Sequence, residues 1–175
     1  DGQEQERQNS DTILQTGETD QNEPSSQDPP ATLFNGQYQV VDDFAARAPR
    51  LLAVAPFGGD PSDWSFVPEG LSPDALVRRS AYGQMAALPF QDLELHEVDA
   101  RLAEGEVTSA SQVEALLKKN PARLHDLLGA DAVLTGTVTH FDRVYLVLGS
   151  QVAVGCELTL HALPSGEVLW RAVHV

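Results

Sequence analysis

Apolar residues are nearly absent from the first part of this chain and recur at regular periods further along it. Residues 1–30 hold only Ile13 and Leu14 as sizeable apolar side chains, with eight acidic residues against one basic residue. Such a segment cannot bury enough apolar area to offset chain entropy. The pattern therefore predicts a disordered acidic tether over residues 1–48, with part of residues 31–48 able to dock on a folded domain.

The pattern of the folded domain, residues 49–175, begins and ends with strands. The continuous apolar run 51–55 is typical of a strand that is covered on both faces. Residues 132–141 are rich in β-branched side chains, and residues 151–162 alternate apolar with polar throughout. Gly149-Ser150 is predicted to be the turn of a tight hairpin before that last segment. Further strands are predicted at 93–96, 143–148 and 167–175.

Helices are marked by periodicity and by capping residues. They are predicted over residues 73–88, 111–120 and 121–128, with one or two helical turns at 98–104. Ser111 and Glu114 have the spacing of a capping box, and Asn120-Pro121 begins a helix that Gly129 ends. This order of elements predicts an α+β fold, in which a mixed, mainly antiparallel sheet carries helices on one face as a two-layer sandwich.

Charge and cysteine content narrow the classes of partner and site. The chain holds 26 acidic and 11 basic residues, for a formal net charge of −15. Affinity for nucleic acid comes largely from neutralising phosphates, so no nucleic-acid partner is predicted. Cys156 is the only cysteine and cannot form an internal disulfide or a cysteine-based zinc site. The apolar runs are also too short for a transmembrane helix.

Motifs that would indicate catalysis or nucleotide binding do not occur in the sequence. GxGxxG, GxxxxGK[ST], HExxH, CxxC and GxSxG are all missing. The loop 58–62 contains two glycines but has no lysine to hold a phosphate, and we predict a plain turn there. The sequence therefore predicts no catalytic residue, no cofactor and no metal site, and a protein that is not an enzyme.

The histidines leave one alternative open. His140, His161 and His174 lie on predicted strands and would meet only if the strand register brought them to one face. Imidazole is the commonest metal ligand in proteins. A metal-assisted hydrolase that uses these three side chains is therefore kept as an alternative function.

Large aromatic side chains are the candidate partner-binding residues. A ring in a loop or on the outward face of a strand is a common anchor for a protein partner. Trp64, Phe66 and Trp170 are the residues predicted here to bind a partner. For Trp170, packing in the core is the more common role and is the competing interpretation.

Three segments resemble one known group of proteins. They are LLAVAPF at 51–57, LLGADAVLTGTVTHF at 127–141 and LPSGEVLW at 163–170. Together they resemble the bacterial envelope lipoproteins grouped with the curli secretion channel CsgG, the penicillin-binding-protein activator LpoB and the amino-terminal domain of TolB. Within this group a lipoprotein subfamily of unassigned role is most similar.

The resemblance implies a periplasmic protein that is anchored to the outer membrane by a lipid and binds other envelope proteins. The acylated cysteine that would carry the lipid is absent from this chain. A long acidic tether fits this plan, because a flexible segment lets an anchored domain reach its partners. A ring-forming subunit of a secretion or envelope-spanning complex, and hence a homo-oligomer, is the alternative. We also expect the natural chain to continue past Val175.

Overall fold

The computed structural model describes residues 36–65, 67, 69–70, 72–85, 87–146 and 149–174. Of the predicted tether, residues 1–35 lie outside this range, whereas residues 36–40 form a strand of the sheet. The elements in chain order are β1 (Gly36–Val40), α1 (Phe44–Arg47), β2 (Leu51–Val54), β3 (Gly58–Gly59), a 3-10 turn (Pro61–Asp63), α2 (Pro73–Met85), β4 (Gln91–Asp92), α3 (Leu95–Glu104), α4 (Ala110–Lys119), α5 (Pro121–Leu128), β5 (Ala132–Leu146), β6 (Gly149–Ala162) and β7 (Val168–His174).

These strands form one mixed sheet in the order β1-β7-β6-β5-β2-β4, with β3 beside β5. The long strands β5, β6 and β7 pair antiparallel, as does β1 with β7. The short strands β2, β3 and β4 pair parallel to their neighbours. The predicted α+β class with a mixed, mainly antiparallel sheet is therefore confirmed.

Helices pack on both faces of the sheet, which differs from the predicted two-layer arrangement. Ala53 and Val133 face α3, α4 and α5, and we name this side the α3–α5 face. Leu52 and Leu134 face the opposite way, toward α2, and we name that side the α2 face. The physical reason lies in β2, where the consecutive side chains of Leu52, Ala53 and Val54 are buried and therefore need cover on both sides.

Several helices and strands begin or end at other residues than the sequence predicts. The short strand lies at Gln91–Asp92, and Leu95 already begins α3. Helix α4 begins at Ala110, one residue before the predicted start, because Ser109 and Gln112 form the capping box. Gly149 pairs with Leu146 inside the β5–β6 ladder instead of forming the hairpin turn. The two strands predicted at 132–141 and 143–148 are one strand, β5, with an irregular register between Val138 and His140.

The first two segments of the resemblance interlock at the centre of the sheet. The Asp131 carboxylate accepts hydrogen bonds from the N–H groups of Arg50 at 3.1 Å and Leu51 at 3.0 Å, which fixes the start of β2 beside β5. Further along the same pair of strands, the buried ring of Phe57 covers Gly136. A Cβ built at Gly136 would lie 2.6 Å from two carbons of that ring, so only glycine fits there without rearrangement.

Candidate partner-binding surface

The three predicted partner-binding residues do not form one site. Trp64 pairs with Phe141 in an isolated bridge, and Phe141 pairs with Val154 of β6. Trp170 pairs with Leu160 of the same strand. The two positions on β6 are six residues apart, which is about 20 Å along a strand. Phe66 lies outside the described residues.

Trp64 packs against the backbone of Gly59 and is only partly exposed. A Cβ built at Gly59 would lie 2.6 Å from Cζ2 of the indole, so the ring lies directly over this glycine. The indole Nε1 is buried and finds no hydrogen-bond acceptor among the described residues. This geometry is typical of a packing residue, and it leaves Trp170 as the candidate whose surroundings are open.

Trp170 lines an apolar groove on the α2 face. The groove has a volume of about 380 Å³, and we name it the Trp170 groove. Its lining side chains are all apolar or aromatic: Val40, Phe44, Met85, Leu88, Phe90, Leu134, Leu160 and Trp170. Leu88 remains 45% exposed and Val40 43% exposed on its rim. Apolar surface of this kind, left in water beside a groove, is a common mark of an interaction site.

The sheet register explains why Trp170 reaches this groove. The sequence predicts Leu169 and Trp170 on opposite faces of the last strand, and this prediction is wrong. The register between β6 and β7 is irregular between Leu160 and His161, and this irregularity places Leu169 and Trp170 against the same core cluster. Leu169 is buried there, whereas Trp170 stays partly exposed at the groove. Trp170 therefore packs partly against the core, and its partner-binding role stays a prediction.

A second apolar groove lies further along the same face. It runs between α2 and β6, has a volume of about 480 Å³ and includes Val152, Val154, Cys156 and His174 in its lining. Burial raises the pKa of the Cys156 thiol, so this side chain stays protonated at neutral pH. A protonated, half-buried thiol acts as a small apolar group, in agreement with its place on the apolar side of β6.

The glycine loop predicted as a plain turn borders a cavity of about 750 Å³. Gly58 and Gly59 line it together with the capped start of α4, a combination that elsewhere holds phosphate. However, Asp60, Asp63, Asp74 and Glu114 also line it. A helix terminus supplies about half a positive charge, which four carboxylates outweigh, so the cavity does not favour an anion.

The strand histidines are not brought together. His161 lines a polar cavity on the α3–α5 face, whereas His174 lines a groove on the α2 face. His140 pairs with Gly155, and Gly155 lies six residues before His161 on β6. Among the described residues, no group of three or more His, Cys, Asp and Glu side chains is placed to hold a metal ion. The arrangement therefore gives the metal-assisted hydrolase no support.

The polar cavity around His161 predicts a pH effect on stability. Burial lowers the pKa of His161, against the opposing effects of its Gly166 hydrogen bond and the Glu114 charge. The unfolded chain therefore takes up a proton here at higher pH than the folded chain does. We expect the free energy of unfolding to fall as pH drops below about 6.5, the ordinary histidine value.

The variant His161→Gln isolates this effect from the acidic residues. Wild type and variant are unfolded with urea at a series of pH values between neutrality and the carboxylate range. The wild type should lose more stability than His161→Gln over the histidine range, because only the wild type gains the extra proton on unfolding. Parallel pH profiles for the two proteins would contradict the prediction.

No helix among the described residues is long and apolar enough to cross a membrane. Residues 93–175 match the family described as "Putative lipoprotein GNA1162-like". No curated protein matches the chain.

The solved structure of GNA1162 shows a similar fold, and those of PelC and LpoB match with lower TM-scores. The crystal structure of lipoprotein GNA1162 from Neisseria meningitidis is 22% identical, with a TM-score of 0.56, over 73% of this chain and 82% of that one. The PelC dodecamer from Paraburkholderia phytofirmans is 17% identical, with a TM-score of 0.43, over 79% of each chain. The LpoB C-terminal domain from Escherichia coli is 13% identical, with a TM-score of 0.45, over 72% of this chain and 82% of that one. The predicted resemblance to this group of envelope lipoproteins is confirmed by the match of residues 93–175 to the GNA1162-like lipoprotein family.

Proposed function

We propose that this chain is a non-enzymatic periplasmic lipoprotein domain, anchored to the outer membrane, that binds or regulates an assembly of envelope proteins. The family description supports the lipoprotein part of this proposal. The observation that carries the binding part is the Trp170 groove, whose lining contains no titratable side chain. A surface of this composition suits the recognition of an apolar anchor and not acid–base chemistry.

The shape of the Trp170 groove suits a large apolar side chain of a partner. Its walls come from α1, from α2 and the segment after it, and from four strands of the sheet, so the sheet supports a rigid floor. Leu88 and Val40 stand at the rim, where a partner would shield them from water. Burying one such side chain contributes about 1.5–3 kcal/mol to binding. Trp170 supplies the aromatic ring that is typical of binding hot spots.

The proposal predicts that Leu88→Glu abolishes partner binding and that Val168→Glu does not. Both side chains are 45% exposed in the free domain, but Val168 lines the polar cavity on the α3–α5 face. A charge at Leu88 would have to be desolvated in the complex, which weakens binding strongly. The measurement is recovery of cross-linked envelope proteins by the full chain and by each variant, with melting curves to show that both variants fold.

Equal recovery by the two variants would refute the groove as the binding surface. Recovery of no envelope protein by the wild-type chain would refute the binding function itself. The anchoring part is tested separately in cells that make the natural protein. Incorporation of labelled palmitate, and recovery in the outer-membrane fraction, are expected; a soluble, unlabelled protein would overturn it.

A further inference from the structure

The outer edge of β1 offers an unoccupied strand-pairing surface. β1 is the terminal strand of the sheet, and no described strand lies on its outer side. We propose that β1 pairs antiparallel with β1 of a second copy of this chain, which joins the two sheets into one. This inference concerns the edge of the sheet and does not depend on the Trp170 groove binding a partner.

β1 lacks the devices that normally protect an edge strand. Its sequence, Gly-Gln-Tyr-Gln-Val, contains no charged residue and no proline, and all five residues are exposed. Natural edge strands are usually blocked by lysine, proline, a bulge or a covering loop, because open backbone groups recruit another strand. An uncharged, exposed edge of this length therefore favours pairing.

The hydrogen-bonding groups of β1 point outward at alternate residues. The N–H of Val41 donates to the carbonyl of Leu169 on β7 at 3.1 Å. Since backbone groups alternate in direction along a strand, those of Gln39 and Gln37 also face β7. The N–H and C=O groups of Gly36, Tyr38 and Val40 then face away from β7. They form the free edge.

The edge is complementary to itself, which is why we commit to a second copy. If two β1 strands cross antiparallel with Tyr38 opposite its own copy, Val40 lies opposite Gly36, and Gln37 lies opposite Gln39. Tyr38 and Val40 pair with Ala172 and Trp170 and so lie on the α2 face, whereas the glutamines lie on the other face. Apolar residues therefore meet apolar or small ones, amides meet amides, and no like charges face each other.

In this pairing, equivalent faces of the two sheets lie on the same side of the joined sheet. The two-fold axis passes through the backbone midpoint between the Tyr38 residues, perpendicular to the sheet, so the α2 faces of both copies lie on the same side. Each of the three outward pairs can exchange two N–H···O=C bonds. The net charge of −15 on each chain opposes association. Because salt screens that repulsion, the dimer should become tighter as ionic strength rises.

The test is the molar mass of the full chain in solution, measured by sedimentation velocity over a wide range of concentration and at two ionic strengths. Tyr38→Pro removes an outward N–H and leaves the bonds to β7 in place, so it should fold and stay monomeric. Tyr38→Thr keeps the N–H and introduces a β-branched side chain that suits a strand, and should still dimerise, more weakly. Tyr38→Lys, which places two like charges across the axis, should also be monomeric.

Circular dichroism and melting curves show whether each variant is folded. If Tyr38→Pro does not fold, the molar mass of Tyr38→Lys tests the proposed dimer in its place. A wild-type chain that is monomeric at every concentration and at both ionic strengths would overturn the inference. So would a folded Tyr38→Pro or Tyr38→Lys variant that dimerises as tightly as the wild type, because the dimer would then use another surface.

Discussion

Gly136→Ala should destabilise the domain by about 2 kcal/mol, because the added methyl group would overlap the buried ring of Phe57. The Cβ of alanine would lie 2.6 Å from Cδ2 and Cε2 of that ring, well inside normal contact. The ring is enclosed, so relief requires a strained rotamer or a shift of β5. For a domain of this size the expected fall in melting temperature is roughly 4–8 °C.

A double-mutant cycle identifies the cause of this loss. In the background of Phe57→Ala, which is itself expected to cost about 3–5 kcal/mol, the substitution Gly136→Ala should be nearly neutral. Gly83→Ala is the matched control, since Gly83 lies in α2 and an added Cβ meets nothing within 4 Å. That variant should gain about 0.5–1 kcal/mol of stability. Equal costs for Gly136→Ala in both backgrounds would refute the contact with Phe57.

This contact also shows what a motif means physically. In the sequence, Pro56-Phe57 and Gly136 belong to two separate segments of the family resemblance. In the structure the ring of one fills the space that the other leaves open. The spacing of 79 positions between them cannot be interpreted without knowing that β2 and β5 are parallel neighbours with Leu52 beside Ala132.

Local signals were sufficient where a single residue type decides the conformation. Gly129 adopts the left-handed conformation, with φ of 64°, that its place at the end of a helix predicts. Asn120 caps α5 by accepting from the N–H of Arg123, also as predicted. The alternation over residues 151–162 predicts a strand, and β6 follows it throughout.

The short sequence motif did not predict the start of α4, because two overlapping capping boxes fit the sequence equally well. The sequence Thr-Ser-Ala-Ser-Gln-Val-Glu contains two overlapping capping boxes, one from Ser109 to Gln112 and one from Ser111 to Glu114. The structure uses the first, and Val113 of α4 is buried against α3 and α5. The local sequence does not distinguish the two boxes, because both have the required residue types at the required spacing.

The sequence indicated helices on both faces of the sheet, whereas it did not indicate the Trp170 groove. The run 51–55 predicts a strand covered on both faces, and this alone required helices on both sides of the sheet. The Trp170 groove depends on the register of β7 against β6, which pairs Trp170 with Leu160 on the α2 face, while an irregularity after Leu160 brings Leu169 to the same core cluster. A register shift of this kind leaves no mark in the alternation of Val168–His174.

Replacing Arg78 should destabilise the domain by about 2–3 kcal/mol, since one guanidinium joins three elements. From α2 it donates to the carbonyl oxygen of Val54 at the end of β2, through Nη2 at 2.8 Å and Nε at 3.2 Å. It also forms an ion pair with Asp99 of α3 at 2.8 Å. Arg78→Met keeps most of the apolar stem but leaves the Val54 carbonyl and the Asp99 carboxylate without these donors.

Three further variants separate the two interactions. Asp99 is half exposed, so Asp99→Asn should cost under about 1 kcal/mol, whereas the carbonyl contact is part-buried and should account for most of the loss. Arg78→Lys retains the charge without the planar fork and should fall between them. Arg79→Met, at the exposed neighbouring arginine, should change stability by less than about 0.5 kcal/mol. Urea unfolding measures the stability of all four variants. If Asp99→Asn cost as much as Arg78→Met, the ion pair with Asp99, and not the hydrogen bonds to the Val54 carbonyl, would account for the loss.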